Sequence, residues 1–340
     1  MVIRSNSVAL ALLILVCAIW GIGFVVTEHA LGKLSTQALN ALRFAIAALS
    51  LIPLWLSLRH KEPVDDWLGL ARGSLSLGFL LFIAFYSQTE GLRFTSVSNA
   101  GFITGMLVPL VPLISWLGFR HKITRAGWIA VCLSTVGLYG LTGGADTALN
   151  KGDLLVLLGA IAFASHIVLT GHYAQKLPIV SLSILQMLAV SLYSLLASWL
   201  FDQDPSKTLF SLDPQHWLTL LSPDIIGAFL WMGLLSTAFG FWVQTSCQKT
   251  LEAHKVALVF AFEPIFAHVA GAIWLDERLG LLGWFGAAAI IAGMLIAELG
   301  DRKSAKLHPV DLVAAPDPLP YSPADAQADA QATKNQSTKT

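Results

Sequence analysis

The sequence predicts an all-α integral membrane protein of ten transmembrane helices, arranged as two inverted five-helix repeats. Three observations carry that prediction: a depleted charge content, a series of bilayer-length apolar runs, and an internal repeat. Of 340 residues, 55% are hydrophobic and 12% charged, against roughly 25% charged in an average soluble domain. An apolar stretch of about 20 residues crosses a bilayer as a helix, and such stretches recur along nearly the whole chain up to Gly300. Lys plus Arg and Asp plus Glu balance at 21 each, so there is no basic surface for nucleic acid. Cys17, Cys132 and Cys247 are too far apart for metal-ligand spacing and read as small buried residues.

Polar or Pro/Gly-bearing joints divide the chain into spans at 8–28, 37–58, 68–88, 95–118, 126–142, 153–174, 179–201, 224–247, 255–275 and 281–299. The first run, "VALALLILVCAIWGIGFVVTEHAL", exceeds the roughly 7 to 15 residues of a signal-peptide core and reads as a retained span. Loop Lys and Arg fix the expected orientation, because cytoplasmic loops keep them. With the N-terminus inside, Arg59, Lys61, Arg72, Arg120, Lys122, Arg125 and Lys176 gather on the inner side, leaving Lys33, Arg93, Lys151, Lys207 and Arg278 outside. The expected location is a bacterial inner membrane, crossed many times, with both termini cytoplasmic. Beyond Gly300 the composition turns to Ala, Asp, Pro, Gln and Thr, which predicts a disordered cytosolic tail over 300–340.

Self-comparison reveals the repeat. "FVVTEHA" (24–30) matches "IVLTGHY" (167–173), setting Thr27 against Thr170, His29 against His172 and Arg43 against Gln186. Farther on, Pro109 in "GMLVPL" matches Pro264 in "AFEPI", and "GWIAVCLSTVG" matches "GWFGAAAIIAG". The predicted organisation is a first repeat over 1–142, an external linker over 143–152 and a second repeat over 153–299. Five spans per copy is an odd number, so the second copy enters from the opposite membrane face. Secondary transporters are built this way, with solute bound between the halves near the midplane.

Four ionisable residues lie at membrane depth, where each costs about 3 kcal/mol unless paired or facing water: Arg43, His166, Glu263 and His268. Glu90 and Glu298 lie nearer span ends. Glu263 precedes Pro264, which removes a backbone donor and implies a bend beside a cavity; Pro109 and Pro112 imply the corresponding bend in the first copy. Two readings of Glu263 stand: a carboxylate that binds a solute ammonium or carries a coupled proton, and a structural acid bonded to Arg43 or a hydroxyl. Arg43 and its mate Gln186 suit recognition of a solute carboxylate, or Arg43 pairs with Glu263. An unperturbed histidine titrates near pH 6.5, so His166 suits proton handling or packing. Trp20, Tyr86, Phe102 and Trp242 are candidate cavity aromatics. No phosphate-binding loop and no hydrolase motif occurs, so neither ATP drive, a cofactor, a metal site nor an enzyme activity is expected.

"WGIGFVV", "LNALRFAIAALSL", "GLRFTSVSNAGFITGMLVPLVPLISW" and "EPIFAHVAGAIWLDERLGLLGWFGAAAIIAGMLI" together resemble the EamA branch of the drug/metabolite transporter superfamily. The resemblance runs to about residue 300 and implies a ten-helix inner-membrane permease that exports amino acids or related small metabolites. The first copy departs from the family's Glu-Pro by carrying Val108 before Pro109. The partners expected are a small-molecule solute, protons, the lipid bilayer and, as an admissible assembly, a second copy of the chain. The rival readings are uptake or exchange within the transporter class, and a membrane enzyme acting on a lipid-linked substrate.

Overall fold

The computed structural model describes residues 5–95, 97–120, 123–141, 150–202, 204, 206–211, 213–274 and 280–307. Among them, all regular structure is helical. The first half holds α1 (Asn6–Leu31), α2 (Thr36–Ser50), α3 (Ile52–Leu58), α4 (Trp67–Gly91), α5 (Val97–Gly105), α6 (Leu107–Phe119) and α7 (Arg125–Leu141). The second holds α8 (Lys151–Ala174), α9 (Ile179–Phe201), α10 (Pro214–Leu220), α11 (Pro223–Phe229), a π-helical segment (Leu230–Phe239), α12 (Gly240–Cys247), α13 (Ala253–Phe260), α14 (Glu263–Trp274) and α15 (Leu281–Leu307).

Eight helical stretches among the described residues are long and apolar enough to cross a membrane. The two other spans the sequence predicts, 126–142 and 281–299, fall on α7 and α15. α7 is described over 17 residues, up to Leu141, where this stretch of described residues ends. α15 opens on an apolar run over 281–297. The helix itself continues to Leu307, so residues 300–307 are helical where the sequence predicts disorder. Good helix formers continue past Gly300 and the first proline is Pro309, which explains the extension. The rest of the predicted tail, 308–340, lies outside the described residues, as does most of the predicted linker. The bundle is a compact unit ending at Glu298, and a second unit begins at Leu299.

The prolines set two breaks. α5 ends at Gly105, four residues before Pro109, and α13 ends at Phe260, four residues before Pro264. A proline ring clashes with the carbonyl four residues back and offers it no donor, so each helix stops at that position. Both prolines then sit in the first turn of the following helix, where an absent N–H costs nothing. Pro112 lies inside α6. Polar caps fix other starts: the Ser35 hydroxyl accepts from the Ala38 amide, and Asn150 and Asp153 form a reciprocal capping box on α8.

Helices pack in pairs around one core. α4 lies on α8 and α9, α2 on α9 and on the π-helical segment, α1 on α14, and α8 on α5 and α6. Glycines allow the closest approaches. A Cβ at Gly137 would stand 2.6 Å from the Gly286 carbonyl, which packs α7 on α15 backbone to backbone. Gly137→Val is therefore expected to lower the apparent melting temperature of the detergent-purified protein, by a destabilisation of about 1–3 kcal/mol. An unchanged melting curve would mean that this contact yields without cost. Leu15, Leu49, Phe79, Val136, Leu192 and Ile273 are exposed around the bundle, an apolar girdle suited to lipid. Cys17 and Cys247 are buried as expected, but Cys132 is exposed.

Candidate functional site

Residues of α1, α2, α4, α5, α6, α8, the π-helical segment, α12, α13 and α14 line a cavity, of which the centre of a water molecule can reach about 50 Å³. Toward the end where α1 starts, a tightly packed cluster closes it, with Leu13, Val16, Cys17, Val108 and Val111 among the fully buried members. The cavity instead reaches toward the end where α1 and α4 finish, past Thr27, Thr89 and Leu92. Trp20 and five phenylalanines form part of its wall. The Trp20 ring centroid lies 4.9 Å from that of Phe260 and 5.4 Å from that of Phe241, and Phe85 lies 5.0 Å from Phe163.

Two ionisable side chains, one basic and one acidic, stand in this wall. Arg43 is 5% exposed; its Nε donates to Thr237 Oγ1 at 2.6 Å and its Nη2 to Ser236 Oγ at 2.9 Å. Its guanidinium carbon lies 4.5 Å from the Phe85 ring centroid, a cation–π contact. Glu263, 7% exposed, is the first residue of α14 and makes no hydrogen bond or ion pair with any described residue. The Arg43–Glu263 ion pair that the sequence leaves open does not form among the described residues. Hydroxyls hold the guanidinium instead, which leaves both charges available to a third party.

His166 is 1% exposed, and its Nε2 lies 3.0 Å from Gln186 Oε1 and 3.3 Å from Thr170 Oγ1. Gln186 thus stands behind the histidine, with its own Nε2 buried and without a partner. Gln88 donates to Thr104 Oγ1 at 2.8 Å across the cavity's far end.

Of the residues the sequence proposes, Trp20, Arg43, His166 and Glu263 line the cavity, and Gln186 supports His166. Tyr86, Phe102 and Trp242 do not line it. Tyr86 stacks on Phe82 and Trp242 lies beside Phe239, while Phe102 packs against the buried clusters. The residues that do face inward are Phe85 and Phe241, one position earlier in each helix. "FYSQT" (85–89) and "FWVQT" (241–245) share one pattern, and that match was the available signal for Phe85, Phe241, Gln88 and Gln244. His268 bonds the Pro264 carbonyl of its own helix, and Glu90 pairs with Arg93 at 3.2 Å; the Glu298 side chain is outside the described set. Among the described residues, no cluster of His, Cys, Asp or Glu could hold a metal.

A profile of the EamA-like transporter family matches residues 7–143 and again 150–298. The chain belongs to the EamA-like transporter family. It is therefore a multi-pass membrane transporter and not an enzyme. An uncharacterized transporter of Archaeoglobus fulgidus is 30% identical over 292 residues, covering 84% of each chain. A probable amino-acid metabolite efflux pump of Salmonella typhimurium is 25% identical over 305 residues, covering 86% of this chain and 95% of the relative. A solved crystal structure superposes with a TM-score of 0.65 at 17% identity, over 88% of this chain and 99% of that one, which supports the fold alone. Within the EamA-like family, a small-molecule solute and a lipid bilayer are the partners that membership implies.

Proposed function

We propose that the chain exports small amino-acid-like metabolites by alternating access between two inverted five-helix repeats, with a proton carried by Glu263. The observation that carries the reading is the separation of charge in the cavity. A guanidinium and a carboxyl group share the cavity wall without forming an ion pair among the described residues. A zwitterion complements both, its carboxylate on Arg43 and its ammonium near Glu263. Relatives named as amino-acid metabolite efflux pumps point the same way.

Mirrored packing supports the inverted arrangement. α4 lies on α8 as α1 lies on the helix from Pro223 to Cys247; α8 lies on α5 and α6 as α1 lies on α14; and α2 lies on its own mate, α9. With ten crossings and both termini in the cytoplasm of a bacterial cell, the cavity described above opens outward. The inward-open state arises when the closed end around Leu13 and Val108 separates.

The test is efflux from liposomes that contain the purified protein and radiolabelled L-leucine, L-phenylalanine or L-glutamate, under an imposed pH gradient. Saturable flux of at least one of these, with the matching decarboxylated amine and the deaminated acid moving at least about tenfold more slowly, is the expected result. Equal rates for the amine or the acid alone would remove the zwitterion reading.

A further inference from the structure

Between Leu230 and Phe239 the backbone is π-helical, a rare form usually confined to a single turn and found at functional positions. The Gly240 amide, at its end, donates to the carbonyls of Leu235 and Thr237. In an α-helix it would instead serve the carbonyl four residues back, that of Ser236. The Ser236 carbonyl accepts the Trp20 indole N–H at 2.7 Å. The indole thus stands where the helix's own amide would otherwise be the donor. It can do so because residue 240 is glycine: a Cβ there would lie 2.7 Å from Trp20 Nε1 and 3.2 Å from its Cε2. The residues placed by this register are Ser236 and Thr237, whose hydroxyls hold Arg43.

We infer that Trp20 is a positioning residue: its indole N–H holds the Leu230–Phe239 segment in the π register, and through Ser236 and Thr237 that register fixes the Arg43 guanidinium at the cavity wall. The inference rests on Arg43 being the solute's anion partner only for its consequence. The device itself is a statement about backbone register. Relaxation to an α register returns the Ser236 carbonyl to the Gly240 amide, expels the indole and re-phases both hydroxyls about the helix axis. Arg43 is then released, which makes the segment a two-state element in the wall between the proposed halves.

The sequence provides its own control. In the repeat alignment Trp20 meets Phe163, which has no donor, and Gly240 meets Ala84, which has a Cβ. The helix holding Ala84, α4, is an unbroken α-helix from Trp67 to Gly91. The donor from the first repeat and the glycine from the second meet at one of the two mirrored contacts, and the π-helical stretch occurs there; the other contact has neither.

The test needs no solute, so it stands whether or not the export reading does. Two readouts apply to the full-length protein in detergent: amide hydrogen exchange of the peptide over 233–243, and phenylglyoxal modification of Arg43 followed by mass spectrometry, with Arg59 as reference. Trp20→Phe keeps the ring but loses the donor, and should speed both at least about fivefold, the size of one net hydrogen bond, with Arg59 unchanged. Gly240→Ala should do the same, and the double variant should go no further than the larger single effect, because both act on one contact. Phe79→Leu, on the exposed face of α4 away from the cavity, should leave both readouts within about twofold of wild type. The inference is overturned if Trp20→Phe and Gly240→Ala leave Arg43 and the 233–243 amides within about twofold of wild type. It is equally overturned if every arginine and every helix speeds up together, because the indole would then be serving general packing.

Discussion

Glu263→Gln is expected to leave the bundle folded and to flatten the pH dependence of solute flux. The carboxylate is 7% exposed and unpartnered among the described residues, so in the folded protein it contributes no contact that the amide would lose. Holding a charge at membrane depth costs about 3 kcal/mol, and the isosteric neutral amide relieves that cost; the apparent melting temperature should therefore stay level or rise. Its position at the break between α13 and α14, ahead of Pro264, is kept, because the bend depends on the proline ring. What disappears is the one carboxyl group among the described cavity-lining residues. Initial rates in liposomes should vary with pH for the wild type and not for the variant, with the KM for the amino acid altered far less than the pH profile. A variant that keeps the wild-type profile but loses affinity would make Glu263 an ammonium ligand only. One that keeps both would move the proton elsewhere, and His166 would be examined next.

The large features of the molecule were legible because backbone chemistry dictates them. Pro109 and Pro264 announced the two breaks, and the helix ends at Gly105 and Phe260 follow from the reach of a proline ring. The buried charges announced themselves because the bilayer penalises them: Arg43, His166 and Glu263 all proved to line the cavity. Which face of α4 and α12 turns inward was not legible from apolar periodicity. In a soluble protein a period of 3.6 separates core from solvent, whereas here lipid and core are equally apolar. Tyr86 and Trp242 were thus chosen over Phe85 and Phe241, one residue out of phase. Nor could sequence pattern foresee the hydroxyls that hold Arg43, since Ser236 and Thr237 sit in an apolar run, in a π register that no short-range propensity encodes. Helix beyond Gly300 was missed for the opposite reason. Composition suggested disorder, but local propensity carried α15 on to Leu307.

Arg43→Ala should raise the KM for a transported amino acid by about 10- to 100-fold, the range expected for losing a charge-assisted pair with a carboxylate. Ser236, Thr237 and the Phe85 ring restrain the guanidinium on the protein side, which leaves its remaining N–H groups to form a fork toward the cavity. Arg43→Lys keeps the charge but not the fork and should fall between the two, with part of the loss appearing as poorer discrimination among carboxylates. The control is the solute's decarboxylated amine, whose weak flux should be insensitive to either substitution. If the KM of amine and amino acid rose by the same factor, Arg43 would be supporting the cavity's shape and not reading the carboxylate. The prediction bears on coupling as well as on affinity. Arg43 belongs to the first half and its mate is the uncharged Gln186; Glu263 belongs to the second and its mate is the uncharged Val108. Each half therefore supplies one charge of opposite sign. On the proposed mechanism, a zwitterion that contacts both would tie the halves together across the cavity, whereas a solute bearing only one charge would engage a single half.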